Sequence, residues 1–166
     1  MRIVKLATLS FVFLFLLITI ISLFLPSTIR ITKTEQINAA TDAVMQQISN
    51  PSNWKNWYPG LDSAKLVYTN DLPTGVIINK RKQQTIDITS KNEGEVMIEY
   101  KIANETKILG GWKVTADQGS VMIQWYNVMH VRWYPWEKFA GILYERSLSD
   151  QMKTGLIRLK DLLETK

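Results

Sequence analysis

The residues best placed to do chemistry lie on one long alternating run, Val121 to Trp133. Successive residues of a strand point to opposite faces. One face carries Val121, Ile123, Trp125, Asn127, Met129, Val131 and Trp133; the other carries Met122, Gln124, Tyr126, Val128, His130 and Arg132. The first set is the more apolar and is expected to face the core. Asn127 is then the one polar residue on the buried side. A buried amide costs several kcal/mol unless it is paired. It either donates to a ligand carbonyl or bonds a water or another side chain. His130 is the only histidine of the chain. It falls on the mixed face, which suits a surface residue better than a general base.

The rest of the inventory narrows the chemistry. The chain has no cysteine, which excludes disulfides, thiolate zinc sites and a cysteine nucleophile. One histidine excludes a His-rich metal centre. No carboxylate pair stands out: Asp87 and Glu99 take the outward phase of their strands, and Glu137, Glu145 and Asp150 belong to the polar face of a helix. Gly110-Gly111 is no phosphate loop and reads as a strand kink or bulge. No catalytic residue, metal or cofactor is therefore assigned. Trp112, Trp125, Trp133 and Trp136 either wall an aromatic pocket suited to a flat or lipid-like molecule or fill the core. Part of that set also suits a membrane-interface belt. The formal charge is +5, from 20 basic and 15 acidic residues. Its one tight cluster, Lys80-Arg81-Lys82, reads as a solvated turn or strand end, so no nucleic-acid partner is expected. The 46% hydrophobic content and six tryptophans exclude low-complexity disorder.

What must position these residues divides in two. Residues 6–25 are uncharged throughout, a length that matches the hydrocarbon core of a bilayer. The run is longer than a signal-peptide core, and Phe24-Leu25-Pro26-Ser27-Thr28 offers no small-x-small cleavage site. Residues 1–27 are expected to be a retained membrane anchor, and residues 28–166 a single domain. Arg2, Lys5 and the amino terminus precede the span, against Arg30 and Lys33 after it. That balance places the domain on the extracytoplasmic side, the periplasm in a Gram-negative cell.

Within the domain, Thr28 to Asn38 alternates as a first strand. Asn38 is the expected N-cap of a helix through Ala39, Ala40, Ala43, Val44 and Ile48, stopped by Asn50-Pro51. Residues 52–58 add a short turn. From Leu61 to Trp133 the period changes to two. Turn signals stand at 71–75, 92–94, after Asn104 and at 117–119. About six antiparallel strands follow one another as a meander. Pro135 opens a long closing helix. Phe139, Leu143, Met152, Leu156, Leu159 and Leu163 are its expected apolar face. Gly155 and residues 147–150 are the expected bends.

Three local patterns, in this order, resemble a known family. They are Pro51-Ser52-Asn53-Trp54-Lys55-Asn56-Trp57-Tyr58-Pro59 after the first helix, Gly119-Ser120-Val121 leading to Gln124-Trp125-Tyr126, and Gly155-Leu156-Ile157-Arg158-Leu159-Lys160 in the closing helix. The chain resembles the START-like or SRPBCC superfamily over residues 29–165, and within it bacterial polyketide cyclase/dehydrase-type proteins. Trp133 to Lys138 is similar to a segment of membrane-tethered members. The resemblance implies an α+β helix-grip fold, in which a curved antiparallel sheet wraps around a long C-terminal helix. It also implies a cavity for hydrophobic small molecules, without implying catalysis.

The expected site lies between sheet and closing helix. Its walls are Tyr100, Trp112, Trp125, Met129 and Phe139, and Asn127 is its polar contact. The leading functional reading is a membrane-anchored binding module for a lipid-like, polyketide-like or aromatic molecule. The alternatives are a cyclase or dehydratase acting through Asn127 and cavity water, and a ligand-sensing interaction module. No protein partner is named by the sequence.

Overall fold

The computed structural model describes residues 2–103, 105–117 and 119–165. Helix α1 spans Arg2–Leu23, and Ser22 is its one buried residue. It starts a turn before the expected apolar run and is long and apolar enough to cross a membrane. The chain then enters strand β1 (Thr28–Ile37), helix α2 (Thr41–Ser49) and helix α3 (Pro51–Trp54). Six strands follow: β2 (Lys65–Thr69), β3 (Leu72–Asn79), β4 (Gln84–Asn92), β5 (Glu95–Ile102), β6 (Glu105–Asp117) and β7 (Ser120–His130). Helix α4 (Pro135–Glu164) closes the chain.

The seven strands form one antiparallel sheet in the order β1-β7-β6-β5-β4-β3-β2. Six of them form the expected meander. The sixth pairing, β1 on β7 from Thr28↔His130 to Ile37↔Val121, brings the two ends of the domain together. The sheet's apolar face packs on α2, α3 and the C-terminal half of α4 through one core. This is the α+β helix-grip arrangement.

Local chemistry explains the departures from expectation. Ala40, not Asn38, stands at the start of α2, without a side-chain cap; the Asn38 backbone N–H donates to Glu164 Oε1 at 2.7 Å and ties this segment to the end of α4. Asn50 is the side chain that caps: its Oδ1 accepts from Ser52 N at 3.0 Å, and Pro51 follows at the first helical position of α3. The β2–β3 turn is Asn70-Asp71, both with positive φ, rather than residues 71–75. Asn and Asp tolerate that conformation, and primed turns suit the strand twist. Pro73 accordingly lies inside β3, opposite Tyr68, where the register with edge strand β2 shifts. The part of the 117–119 signal on Gln118, and the Asn104 signal, fall outside the described residues. Lys80, Arg81 and Lys82 form the exposed β3–β4 turn.

Helix α4 runs unbroken through residues 147–150 and Gly155. Gly155 answers a close approach, not a bend: a Cβ there would meet Trp125 Cζ3 at 2.7 Å and Pro59 Cδ at 3.0 Å. Met152, Leu156 and Leu159 are buried as expected and Leu163 packs against the core, but Phe139 and Leu143 stand outside it. In the first turns the buried positions are instead Pro135, Lys138 and Gly141. Lys138 Nζ donates to Leu25 O at 2.8 Å and to Ser27 Oγ at 2.7 Å. It ties the start of α4 to the exit of α1.

Candidate functional site

The alternation of β7 holds where chemistry needs it. Trp125 and Asn127 are buried, Met129 is half-buried against the core, Tyr126 is half-buried on the other face and His130 is exposed. His130 faces Thr28, its Nδ1 3.0 Å from Thr28 Oγ1. Trp133 lies beyond the strand, and both it and Trp136 are exposed. They are surface residues, not pocket walls, because β7 ends at His130 and α4 turns its other side to the sheet.

Trp112 and Trp125 meet at 5.5 Å between ring centres. They are joined by residues outside the expected set. Trp57 packs edge-on to both, at 5.6 Å and 6.0 Å. Tyr58 lies 4.8 Å from Trp125, and Trp54 lies 5.4 Å from Trp112. All five rings are buried. The helix-to-strand segment 51–58, legible as a motif, thus supplies three rings to the cage. No periodicity in it announced which side chains would turn inward.

Beside the cage lies a buried polar group. The Tyr58 and Tyr100 hydroxyls hydrogen-bond to each other, and the Asn127 side chain lies close enough to Tyr100 to act on its phenol. Asn127 Nδ2 donates weakly to Met152 Sδ at 3.3 Å. Asn127 Oδ1 and the indole nitrogens of Trp57, Trp112 and Trp125 are buried without a hydrogen-bond partner among the described residues. Gly110 makes the room: it sits across from Asn127, and a Cβ on it would lie 2.0 Å from Asn127 Oδ1. Gly111 does the same on the other face for Tyr126, whose hydroxyl would lie 2.9 Å from such a Cβ. The β6–β7 register runs unshifted through both glycines. They are a place of close approach, not the kink or bulge expected.

Two adjoining clefts open from this region. One, of about 280 Å³, is lined by Tyr58, Tyr100, Ile102, Ile108, Leu148 and Gln151 among others. The second, of about 350 Å³, shares Ile102 and Ile108 and adds Met129, His130, Ala140 and Tyr144. Of the expected site, Tyr100 and Met129 line these clefts and Asn127 lies behind Tyr100. Trp112 and Trp125 form the packed floor behind. Phe139 is 41% exposed and joins none of them.

Burial dominates the electrostatics. It raises the Tyr58 and Tyr100 phenols well above the ordinary value, so both are protonated donors at neutral pH. Tyr126 is pushed up to about 12, first by partial burial and then by its 2.8 Å bond to Glu95. Free phenols ionise near about 10. The three therefore keep protons in the folded chain that the unfolded chain gives up. Their contribution to stability is complete below about pH 10 and is lost as pH rises through the folded values. Denaturant midpoints measured from neutral pH upward are expected to fall from about pH 10. Tyr126→Phe should flatten the part of that fall below about pH 12, and an unchanged profile would contradict this account.

On the outer face, Lys101 pairs with Asp87 at 3.2 Å and Glu99 at 3.4 Å. These half-exposed carboxylates keep their expected outward phase and do not join the site. No group of acidic or histidine side chains able to hold a metal occurs among the described residues.

The family model described as "Polyketide cyclase / dehydrase and lipid transport" matches residues 28–164. Solved structures of the same fold include the di-domain ARO/CYC BexL from the BE-7585A biosynthetic pathway, at TM-score 0.63 and 13% identity. The match covers 84% of this chain and 51% of that two-domain chain. Another is the protein XoxI from Bacillus cereus, at TM-score 0.59 and 14% identity, with 81% of this chain and 94% of that one covered. A third is the Aha1 dimer from Colwellia psychrerythraea, at TM-score 0.58 and 13% identity, covering 82% and 96%. At these identities the likeness is one of fold. No curated protein is significantly similar to the chain.

Proposed function

Since the chain belongs to the polyketide cyclase/dehydrase and lipid transport family, we propose that it is a membrane-anchored binding module for a hydrophobic small molecule. The ligand lies between the sheet and α4, in the paired clefts lined by Tyr100, Ile108 and Met129. α1 anchors the module, and the domain, residues 28–166, stands on the extracytoplasmic side. One observation carries this reading: the clefts set apolar side chains, among them Ile86, Ile102, Ile108, Leu148 and Met129, beside the Tyr58–Tyr100 hydroxyl pair and polar side chains such as Gln84 and Gln151, and the nearby buried Asn127 Oδ1 has no partner among the described residues. A ligand with an apolar body and one polar group fits such a wall. Trp112 and Trp125 support the site from behind, and Phe139 stands outside it.

The test is native mass spectrometry of the full chain purified from its own host. An apolar adduct is expected on the wild type and should be depleted in Asn127→Ala. Truncation of a ligand-bonded amide costs about 1–3 kcal/mol of affinity. An adduct retained undiminished by a folded Asn127→Ala variant would refute the polar contact. Absence of any adduct, together with no binding of added lipids or aromatic polyketides, would refute the module.

The Tyr58–Tyr100 pair favours a second reading, a cyclase or dehydratase. A neutral phenol lining a cleft is a proton donor to a carbonyl oxygen. Under that reading Tyr100→Phe abolishes turnover of a poly-β-ketone while leaving its binding in place. Binding without turnover in the wild type favours the module.

A further inference from the structure

We propose that the surface from Trp133 to Tyr144 is a second membrane-contact site, which rests in the bilayer interface beside α1 and holds the cleft mouth at headgroup level. The occupant is the lipid bilayer itself. The inference rests on the reading of α1 as a retained anchor.

The first observation is exposure without polarity. Trp133 is 59% exposed, Trp136 60%, Leu143 73% and Tyr144 59%, with Phe139 and Ile142 also exposed. On α4, positions 136, 139 and 143 lie within one narrow arc, on the side opposite the buried Lys138 and Gly141. Residues 139–144 carry no charge. The core side here is Pro135, Gly141 and the paired Lys138, so the exposed side is where polar residues are expected, and an apolar outer side is not suited to water. The same helix becomes conventional one turn later, where Glu145, Arg146 and Ser147 are exposed and the core side is carried by Met152 and Leu156. The apolar outer face is confined to the first three turns.

The second observation is where those turns lie. Lys138 Nζ holds Leu25 O and Ser27 Oγ, Val131 N donates to Ser27 O at 2.9 Å, and a Cβ on Gly141 would lie 2.6 Å from Ile29 Cδ1. The start of α4 is therefore pinned to the first residues after α1. If α1 spans the bilayer, residues bonded to Leu25 and Ser27 stand at its surface. The aromatic residues suit that layer: Tyr134 stacks on Trp136 at 5.0 Å and meets Trp133 at 4.8 Å. Trp and Tyr concentrate at membrane interfaces because each has an apolar body and a polar tip.

The third observation concerns the rest of that end. β1 starts and β7 ends there, at Thr28↔His130. β4 also starts at that edge, at Gln84↔Ile102. The exposed Lys80-Arg81-Lys82 turn leaves the same edge, placing cations where anionic headgroups would be. The cleft containing Met129, Ala140 and Tyr144 opens on this side. A ligand dissolved in the bilayer would enter it without crossing water, which identifies the ligand class as a membrane-resident amphiphile.

The absence of cysteine makes a direct test clean. The full chain, carrying a spin label at Phe139→Cys or Leu143→Cys, is reconstituted in vesicles of phosphatidylethanolamine and phosphatidylglycerol. Labels at Phe13→Cys in α1 and at Glu93→Cys, at the opposite end of the sheet, serve as references. Collision with oxygen reports lipid, and collision with a water-soluble nickel chelate reports water. The α4 labels are expected to gain oxygen collisions and lose chelate collisions relative to Glu93→Cys, at a depth shallower than Phe13→Cys. Chelate access equal to Glu93→Cys, with Phe13→Cys still in lipid, overturns the contact surface and leaves the anchor standing. All labels in water overturn both. Shielding from both reagents means that protein covers the face, which also overturns the proposal.

Discussion

Trp125→Ala is expected to lower folding stability by about 3–5 kcal/mol, among the largest single losses available in this domain. The ring is fully buried, and Tyr58, Trp112 and Trp57 pack on it. Gly155 lets α4 approach until its backbone lies over the ring edge. Removing the indole would leave a cavity bounded by a long helix and by rings that themselves support one another, so collapse into it is limited. Denaturant unfolding of the full chain, followed by tryptophan emission, measures the loss. Trp136→Ala, a substitution of the same type at an exposed position, should stay within about 0.5 kcal/mol in detergent. Equal effects at the two positions would contradict the division between cage and surface. Because Trp125 also backs the clefts, its effect on binding is meaningful only for variants shown to be folded, for which Trp125→Leu is the gentler change.

The second large effect is expected at a residue with no side chain. Gly110→Ala places a methyl group 2.0 Å from Asn127 Oδ1 and 2.8 Å from the backbone oxygen of Tyr126. Asn127 is short and buried, and the Tyr126 oxygen belongs to a central strand, so neither yields cheaply. Overpacking of this kind costs about 1–3 kcal/mol, and more where backbone must move. The double variant Gly110→Ala/Asn127→Ala should lose less stability than the sum of its parts, since one of the two clashes disappears. Strict additivity, measured from the four denaturation midpoints, would show that the glycine does not serve Asn127. The experiment bears on the ligand site as well, because the same glycine sets how far the Asn127 amide stands from the sheet.

Some of this was legible before any coordinates. An uncharged run of twenty residues shows a helix long and apolar enough to cross a membrane, because its length at the helix rise matches the bilayer's hydrocarbon thickness. The period-two run through Val121, Ile123, Trp125 and Asn127 announces which face of β7 is buried, because a strand has only two faces. Asn127 was found this way. The order of strand, helices, meander and long helix implies a sheet covered by the closing helix, since a one-sided sheet needs one apolar cover; the helix-grip form is what the family resemblance adds.

Tertiary structure decided what periodicity cannot express. A helix offers many phases, and in its first turns α4 carries its large apolar side chains on the side away from the core. Periodicity alone permits Phe139 and Leu143 as core residues; the contacts of Lys138 and Gly141 with Leu25 and Ile29 turn them outward. The segment 51–58 is too short for a period, so the inward turn of Trp54, Trp57 and Tyr58 depended on where Trp112 and Trp125 lay. The pairing of β1 with β7 joins residues 102 apart in sequence at Thr28 and His130, a long-range choice that no local pattern encodes. The glycine pair at 110–111 is intelligible only with Asn127 and Tyr126 beside it. Local residue types determine which element forms and which face of a strand is wet; contacts between distant elements determine which helix face is buried and which polar group is left without a partner.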